Sequence, residues 1–152
     1  MDEIGGKITR IFKIFVIACV SLFLLVQIAE SQPSDQGEWR SSYSGQVIPR
    51  TVVARTQAEW QNLWKMAGQV QPEYSFDPSS EMVVGIFLGV RRTGGYAIEI
   101  TRAEERDGRF VIDYIVDEPS PGEFVTQALT TPSLIKIFPR TDLEVVFERR
   151  QG

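Results

Sequence analysis

Residues 81–100 read EMVVGIFLGVRRTGGYAIEI, and we expect the rest of the fold to be organised around them. Its first half, residues 82–88, is an almost unbroken apolar run rich in β-branched side chains, which is typical of a central strand covered on both faces. Its second half, residues 96–101, alternates, with Tyr96 and Ile98 on the same side. The stretch therefore predicts a buried central strand followed by a half-exposed one.

The connection between these two strands, residues 90–95, is too long for a two-residue turn and contains two adjacent arginines and two adjacent glycines. Glycines adopt positive φ at no steric cost, and their backbone N–H groups are then free to face a ligand or a partner. Two interpretations stay open: a hairpin connection with solvated edge charges, or a recognition loop. Such a recognition loop would comprise Arg91, Arg92, Thr93, Gly94, Gly95 and Tyr96.

The composition is that of a folded protein with an acidic balance. Of the 152 residues, 43% are hydrophobic and 11% aromatic, which argues against wholesale disorder. Asp and Glu number 20 against 16 Lys and Arg, and the formal net charge is -4. Nucleic-acid binders carry the opposite charge, so we expect no nucleic-acid partner. The length suits one domain after an N-terminal signal.

Absent residue types restrict the chemistry. The chain has no histidine, and its single cysteine, Cys19, lies in an N-terminal apolar run. Histidine acid–base catalysis, Ser-His-Asp and Cys-His nucleophiles, and zinc sites built from imidazole or thiolate are therefore excluded from the folded part. Carboxylate or lysine chemistry and binding without catalysis stay open. Of these we expect binding, by a protein that is not an enzyme and has no cofactor, no metal ion and no catalytic residue.

The N-terminus has the layout of a secretory signal over residues 1–31. Basic residues precede an apolar run over 14–26, and Ala29 and Ser31 form a small-x-small site that predicts cleavage after Ser31. An uncleaved signal anchor is one alternative, and a lipoprotein at Cys19, in the lipobox-like tetrapeptide VIAC, is another. Each of the three predicts an extracytoplasmic domain, with membrane contact only through this segment.

A polar stretch separates the signal from the folded domain. Residues 32–45 read QPSDQGEWRSSYSG and predict a linker that docks through Trp39 and Tyr43. The folded domain is expected over residues 46–152.

One helix is predicted, beginning after Thr56. Thr56-x-x-Glu59 is a capping box, in which each side chain satisfies a backbone N–H of the other residue. The apolar residues at helical spacing are Trp60, Leu63, Trp64 and Ala67, which we assign to packing on the sheet, and Gly68 ends the helix.

The remaining pattern predicts an α+β fold with a mainly antiparallel β-sheet, sandwich- or barrel-like, and the helix packed on it. Asp107-Gly108 is a typical hairpin turn between two of the strands. About seven strands are expected, at residues 47–55, 82–88, 96–101, 109–116, 124–129, 133–138 and 143–148.

An acidic, proline-containing loop offers a second functional hypothesis. Asp117, Glu118 and Glu123 lie in the stretch DEPSPGE, and paired carboxylates serve in glycoside hydrolysis or bind divalent cations. The alternative function is therefore a carboxylate-dependent hydrolase or a divalent-cation-binding envelope domain. A simply solvated loop explains the same residues.

Residues 88–100 follow the pattern LG-x-R-x-TGGY-x-x-EI, and here the chain resembles the C-terminal domain family of the protease-complex subunit PrcB. One departure is Arg92, where the family often has proline before the threonine. The similarity also includes residues 58–60, 81–84, 121–122, 125–127 and 131–132, and thus covers about 47–138.

This resemblance implies that residues 46–152 form a PrcB C-terminal-like domain, exported or lipid-anchored, which associates with a secreted protease complex and has no catalysis of its own. Whether it stabilises or inhibits its partner stays open, because chagasin-like protease inhibitors insert similar Thr-Gly loops into a protease cleft. The expected partner is a protein, with a protease as the candidate. The expected partner-binding residues are Arg91, Arg92, Thr93, Gly94, Gly95, Tyr96, Pro121 and Gly122.

Overall fold

The structure is a computed structural model that describes residues 37–151. The predictions for residues 1–31, including cleavage after Ser31 and lipidation of Cys19, lie outside the described residues. Within residues 37–151, no helix is long and apolar enough to cross a bilayer. The elements, in chain order, are β1 (Glu38–Ser41), β2 (Arg50–Ala54), α1 (Gln57–Met66), β3 (Glu81–Phe87), β4 (Ala97–Arg106), β5 (Arg109–Asp117), β6 (Ser133–Pro139) and β7 (Glu144–Arg149).

The strands form two sheets, in the orders β1-β6-β3-β2 and β4-β5-β7. All pairings are antiparallel except β5 with β7, which is parallel. The parallel pair arises because the chain leaves β5, adds β6 to the other sheet and then returns, and such a crossover needs a long connection. The predicted α+β class, mainly antiparallel with one helix, is confirmed for the described part of the chain, in its sandwich-like form.

Strand β3 is central, as predicted. It pairs with β6 on one side and β2 on the other, and residues 82–87 are all buried. Gly85 is required here by packing, because a Cβ at this position would lie 2.9 Å from the Phe87 ring and 3.4 Å from Leu63 of α1. The absent side chain thus lets the helix approach the sheet.

The predicted capping box and apolar stripe of α1 are both present. Thr56 Oγ1 accepts a hydrogen bond from the Glu59 N–H at 3.2 Å, and the Glu59 carboxylate accepts from the N–H groups of Arg55 (2.8 Å) and Thr56 (3.0 Å). The Arg55 N–H, more than any other group, holds the pKa of Glu59 below its usual value. Trp60 and Trp64 are buried on the first sheet.

A second core fills the space between the two sheets. Ile86, Leu88 and Leu134 of the first sheet and its continuation pack against Ile98 and Val116 of the second. Because side chains alternate along a strand, β3 and β6 contribute one face to the helix and the other to this second core.

The structure differs from the linker prediction at residues 38–41. This part of the predicted linker is β1, which pairs with β6 at the sheet edge. Trp39 lies 5.3 Å from Trp64 between ring centroids and 5.7 Å from Tyr74, so it docks as expected, whereas Tyr43 is 60% exposed and does not. A polar edge strand needs only one buried side chain, and its pairing partner is distant in sequence; local composition therefore concealed it.

The strand predicted at residues 124–129 is wrong. This segment is a loop, and Phe124 at its start is fully exposed. Its apolar and β-branched residues have a high β-propensity, but propensity does not tell whether a partner strand is available to pair with them. β4, by contrast, is longer than predicted and extends to the hairpin turn, where Asp107 and Gly108 have φ of 53° and 72°.

Candidate partner-binding surface

Three connections lie side by side at one end of the sandwich: L1 (residues 42–49), L2 (residues 88–96) and L3 (residues 118–132). Backbone hydrogen bonds join them into one surface. They run from the N–H of Ser44 to the carbonyl of Thr131 (2.9 Å), from Val90 to Val47 (3.0 Å), in both directions between Arg91 and Thr130 (2.8 and 2.9 Å), and from Gly94 to Thr126 (2.8 Å).

The predicted partner-binding residues fall on two of these loops. Arg91, Arg92, Thr93, Gly94, Gly95 and Tyr96 belong to L2, while Pro121 and Gly122 are exposed in L3. The two loops touch at Gly95, where φ is 86° and an added Cβ would lie 2.7 Å from Val125 and 3.1 Å from Pro119. The fold thus brings the two predicted groups to the same end of the molecule.

The structure corrects the expectation of a free backbone donor at Gly94, the first of the paired glycines. The N–H of Gly94 already donates to Thr126, and the hydroxyl of Thr130 donates to the carbonyl of Thr93 at 2.8 Å. L2 is therefore tied to L3 along much of its length. Because these hydrogen bonds restrict its backbone, L2 loses less conformational entropy on binding than an open loop does.

Tyr96 and Arg91 have a structural role within L2. Tyr96 is half-buried and packs against the second core, and the Arg91 guanidinium lies over its ring, 5.5 Å from the centroid. Such a cation–π contact orients the arginine side chain. Arg92 and Gly95, by contrast, are exposed.

Exposed apolar side chains on the three loops are the feature that sequence reasoning missed. Phe124 and Leu129 were assigned to a strand, as were Val47 and Ile48, because apolar residues in a short run indicate strands. The structure leaves Val47 and Ile48 65% exposed, Val90 42%, Leu129 67% and Phe124 completely so. The available signal was their position beside turn-forming glycine and proline residues.

Cations and carboxylates both lie on or beside these loops. Arg50, at the start of β2, and Arg91 and Arg92 of L2 form no ion pair with any carboxylate of residues 37–151. The carboxylates of L3 already have partners: Glu118 pairs with Arg149, and Glu123 accepts from the N–H of Ser120. Exposed apolar side chains together with unpaired cations make a surface that can recognise a protein.

The acidic loop does not assemble a site for a cation. Glu118 pairs with Arg149 at 2.8 Å, and the Glu123 carboxylate accepts a hydrogen bond from the N–H of Ser120 at 2.8 Å, within its own turn. Asp117 is exposed at the end of β5. In the described part of the chain, no three Asp, Glu, His or Cys residues are grouped so that they could hold a metal ion.

In a comparison with protein families, residues 82–138 match the family described as PrcB C-terminal. The matched segment begins at the second residue of β3, ends within β6 and includes all of L2 and L3. No curated protein and no solved structure matches the chain significantly. Residues 82–138 are therefore similar to the PrcB C-terminal family, and the resemblance predicted from the sequence is confirmed over this segment.

Proposed function

We propose that this protein is an exported, non-catalytic binding domain that associates with a protease complex outside the cytoplasmic membrane and stabilises or modulates it. The contact surface is the one formed by L1, L2 and L3. The signal-like N-terminus supports the proposed export, and the family resemblance supports a protease as the proposed partner.

The observation that supports binding is the cluster of exposed apolar side chains on hydrogen-bonded loops. Large aromatic and aliphatic groups in water are unfavourable, at about 25 cal/mol per Å² of apolar surface that a partner could cover. Protein interfaces typically place such groups at their centre and charged groups at their rim. Here Phe124 and Leu129 are exposed on L3, and Arg92 is exposed on L2, which is hydrogen-bonded to L3.

The alternative function, a carboxylate-dependent hydrolase or cation-binding domain, has no observation in its favour among the described residues. Its three carboxylates are exposed, and two of them already serve an ion pair and a turn.

Affinity purification from exported and envelope fractions tests the proposal. The double variant Phe124→Ser, Leu129→Ser removes the two most exposed apolar groups of L3 with little expected change in stability, because neither is buried. We expect at least a tenfold lower recovery of the partner, identified by mass spectrometry, and of the peptide-hydrolysing activity that is recovered with it.

The matched control is Val70→Ser. Val70 is 93% exposed in the connection between α1 and β3, outside the three loops, so the change is of the same chemical kind. Partner recovery with this control should equal that of the unmodified protein. If the double variant remains folded and recovers the partner equally well, the loop surface is not the binding site.

A further inference from the structure

The two sheets leave a wedge-shaped groove between strands β2 and β7. Each of these strands is at the edge of its sheet, with one pairing partner among the described residues. At one end of the wedge, the Arg55 guanidinium reaches across and donates to the carbonyls of Thr141 (3.0 Å) and Leu143 (2.7 Å). The two edges are thus joined at this end, and the groove lies toward the other end, beside Arg50 and Arg149.

At the open end, the wedge becomes a groove of about 410 Å³. Arg50 and Thr51 of β2 form one side, Phe147 and Arg149 of β7 form the other, and Ile86 and Val116 lie at the bottom. The bottom is part of the second core, so the groove opens directly onto apolar side chains. Arg91 of L2 also contributes, which makes the groove continuous with the loop surface.

The β2 edge has backbone groups that point into this gap. The Leu88 N–H donates to the carbonyl of Pro132, and this bond continues the β3–β6 register. In that register, the backbone N–H and C=O groups of Ile86 and Val84 form their hydrogen bonds with β6. Those two residues are opposite Thr51 and Val53. Because an antiparallel ladder alternates bonded and non-bonded pairs, the N–H and C=O groups of Thr51 and Val53 point away from β3. An added strand could pair with them.

The groove is cationic although the protein is acidic. Three arginines line it, at positions 50, 91 and 149, and one carboxylate, that of Glu118, pairs with one of them. Two positive charges therefore remain beside an apolar floor. A complementary ligand would carry carboxylates next to apolar side chains.

We propose that this groove binds an extended, acidic peptide segment of the partner, which adds as a strand to the edge of β2. Strand addition takes affinity from main-chain hydrogen bonds and specificity from pockets for alternate side chains. Apolar side chains at every second position would cover Ile86 and Phe147, and carboxylates would meet Arg50 and Arg91. This assignment rests on the proposed function, which it extends by naming the chemistry of the recognised segment.

Selection from a displayed library of random nine-residue peptides on the purified full-length protein provides the first test. We expect enrichment of peptides with alternating apolar residues and at least one Asp or Glu. Failure to enrich any peptide, or enrichment of lysine- and arginine-rich peptides, would overturn the proposal.

Fluorescence anisotropy with the most enriched peptide then locates the site. Arg50→Glu should weaken binding at least tenfold, because it reverses a groove charge that has no ion-pair partner to lose. Arg102→Glu reverses the charge of an exposed arginine of β4, in the other sheet and outside the groove, and is the control. It gives up one exposed ion pair, with Glu104 at 3.5 Å, and should change peptide binding less than twofold. Equal binding to both variants would contradict the assignment to the groove.

Strand addition is tested separately from charge. Thr51→Pro removes an outward N–H without removing a bond to β3, and proline is tolerated on edge strands. Binding of the unmodified peptide should be lost, and a copy of the peptide N-methylated at alternate residues should fail to bind the unmodified protein. The N-methylated peptide keeps the test valid even if Thr51→Pro does not fold. Binding of the N-methylated peptide with unchanged affinity would overturn strand addition.

Two further results would show whether a second copy of the chain fills the groove, and whether the groove proposal can fail while the proposed function stands. A concentration-dependent dimer in sedimentation experiments that Thr51→Pro abolishes would show that a second copy fills the groove, and the peptide proposal would be wrong. Val70→Ser, outside both the loop surface and the groove, should bind the peptide normally. Lost partner recovery in the Phe124→Ser, Leu129→Ser variant, with no peptide binding by the unmodified protein, would leave the proposed function standing and refute the groove alone.

Discussion

At the scale of single residues, one hydrogen bond joins the segment after α1 to the start of the central strand. The Tyr74 hydroxyl donates to the Glu81 carboxylate at 2.6 Å, and the other oxygen of that carboxylate accepts from the N–H of Asp77 at 3.0 Å. The hydrogen bond to Glu81, helped by burial, raises the pKa of Tyr74 to about 12 from an ordinary value of 10.0. The neutral tyrosine is therefore the form that stabilises the fold.

We expect Tyr74→Phe to lower the free energy of unfolding by about 1.5 kcal/mol at pH 8, the low end for a hydrogen bond to a charged group, because the pair is only partly buried. Because the folded-state pKa is raised, the stabilisation is fully present below pH 10 and is lost as the pH rises toward about 12. Urea unfolding at a series of pH values should show the variant and the unmodified protein converging over that window. The control is Tyr43→Phe, at an exposed tyrosine, which should have the same free energy of unfolding as the unmodified protein at each pH. A constant difference across the window would contradict this explanation.

At the scale of elements, β1 shows how a short polar strand is held. Its Glu38 accepts from Lys136 of β6 at 2.6 Å and from Arg40 at 2.8 Å. Partial burial by itself would raise the pKa of Glu38, but these two cations outweigh it and the pKa is lowered. The contact therefore stabilises the fold above the ordinary carboxyl range and weakens in acid. Trp39, between them, supplies the apolar contact.

A chain that begins at Gln46, the domain boundary predicted from the sequence, should be less stable than one that begins at Gly37. Removing β1 exposes an edge of β6 and deletes Trp39, and loss of a large aromatic from a core costs about 3 kcal/mol or more. Thermal and urea unfolding measure the difference. Trp39→Ala in the longer chain should reproduce most of the loss. Equal stability of the two chains would show that β1 is dispensable.

At the scale of the whole molecule, two cores share the strands between them. β3 and β6 place Val83 and Ile135 toward the helix, and Ile86 and Leu134 toward the second sheet. Side-chain bridges reinforce the join, with Arg40 donating to the carbonyl of Ile98 and Arg55 donating to the carbonyl of Leu143. A change in one core should therefore affect both sheets.

Leu134→Ala, at a side chain that is 1% exposed, should lower the free energy of unfolding by about 3 kcal/mol. We expect hydrogen exchange to accelerate equally for the amides of β3 and β5, because the two sheets unfold together. Leu129→Ala, at an exposed leucine of L3, should change stability by less than about 0.5 kcal/mol. Faster exchange confined to the first sheet would show that the two sheets unfold independently.

The local chemistry of the chain was readable from its sequence, while the pairing of distant segments was not. The capping box at Thr56, the Trp stripe of α1, the central apolar strand and the Asp-Gly turn each depend on residues close together in sequence. The edge strand at Trp39 and the loop at Phe124 were misassigned, because each depends on whether a remote segment is available as a partner.

Residue types and short-range periodicity were enough to indicate the fold class and the resemblance to the PrcB C-terminal family, and they exclude histidine and thiolate chemistry from residues 37–151. Three features became visible in the fold alone: the contacts among L1, L2 and L3, the hydrogen bond from the Gly94 N–H to Thr126, and the groove lined by Arg50, Arg91 and Arg149. They could not be foreseen because strand register and sheet order bring together residues dozens of positions apart, and no local pattern encodes which of them will be neighbours.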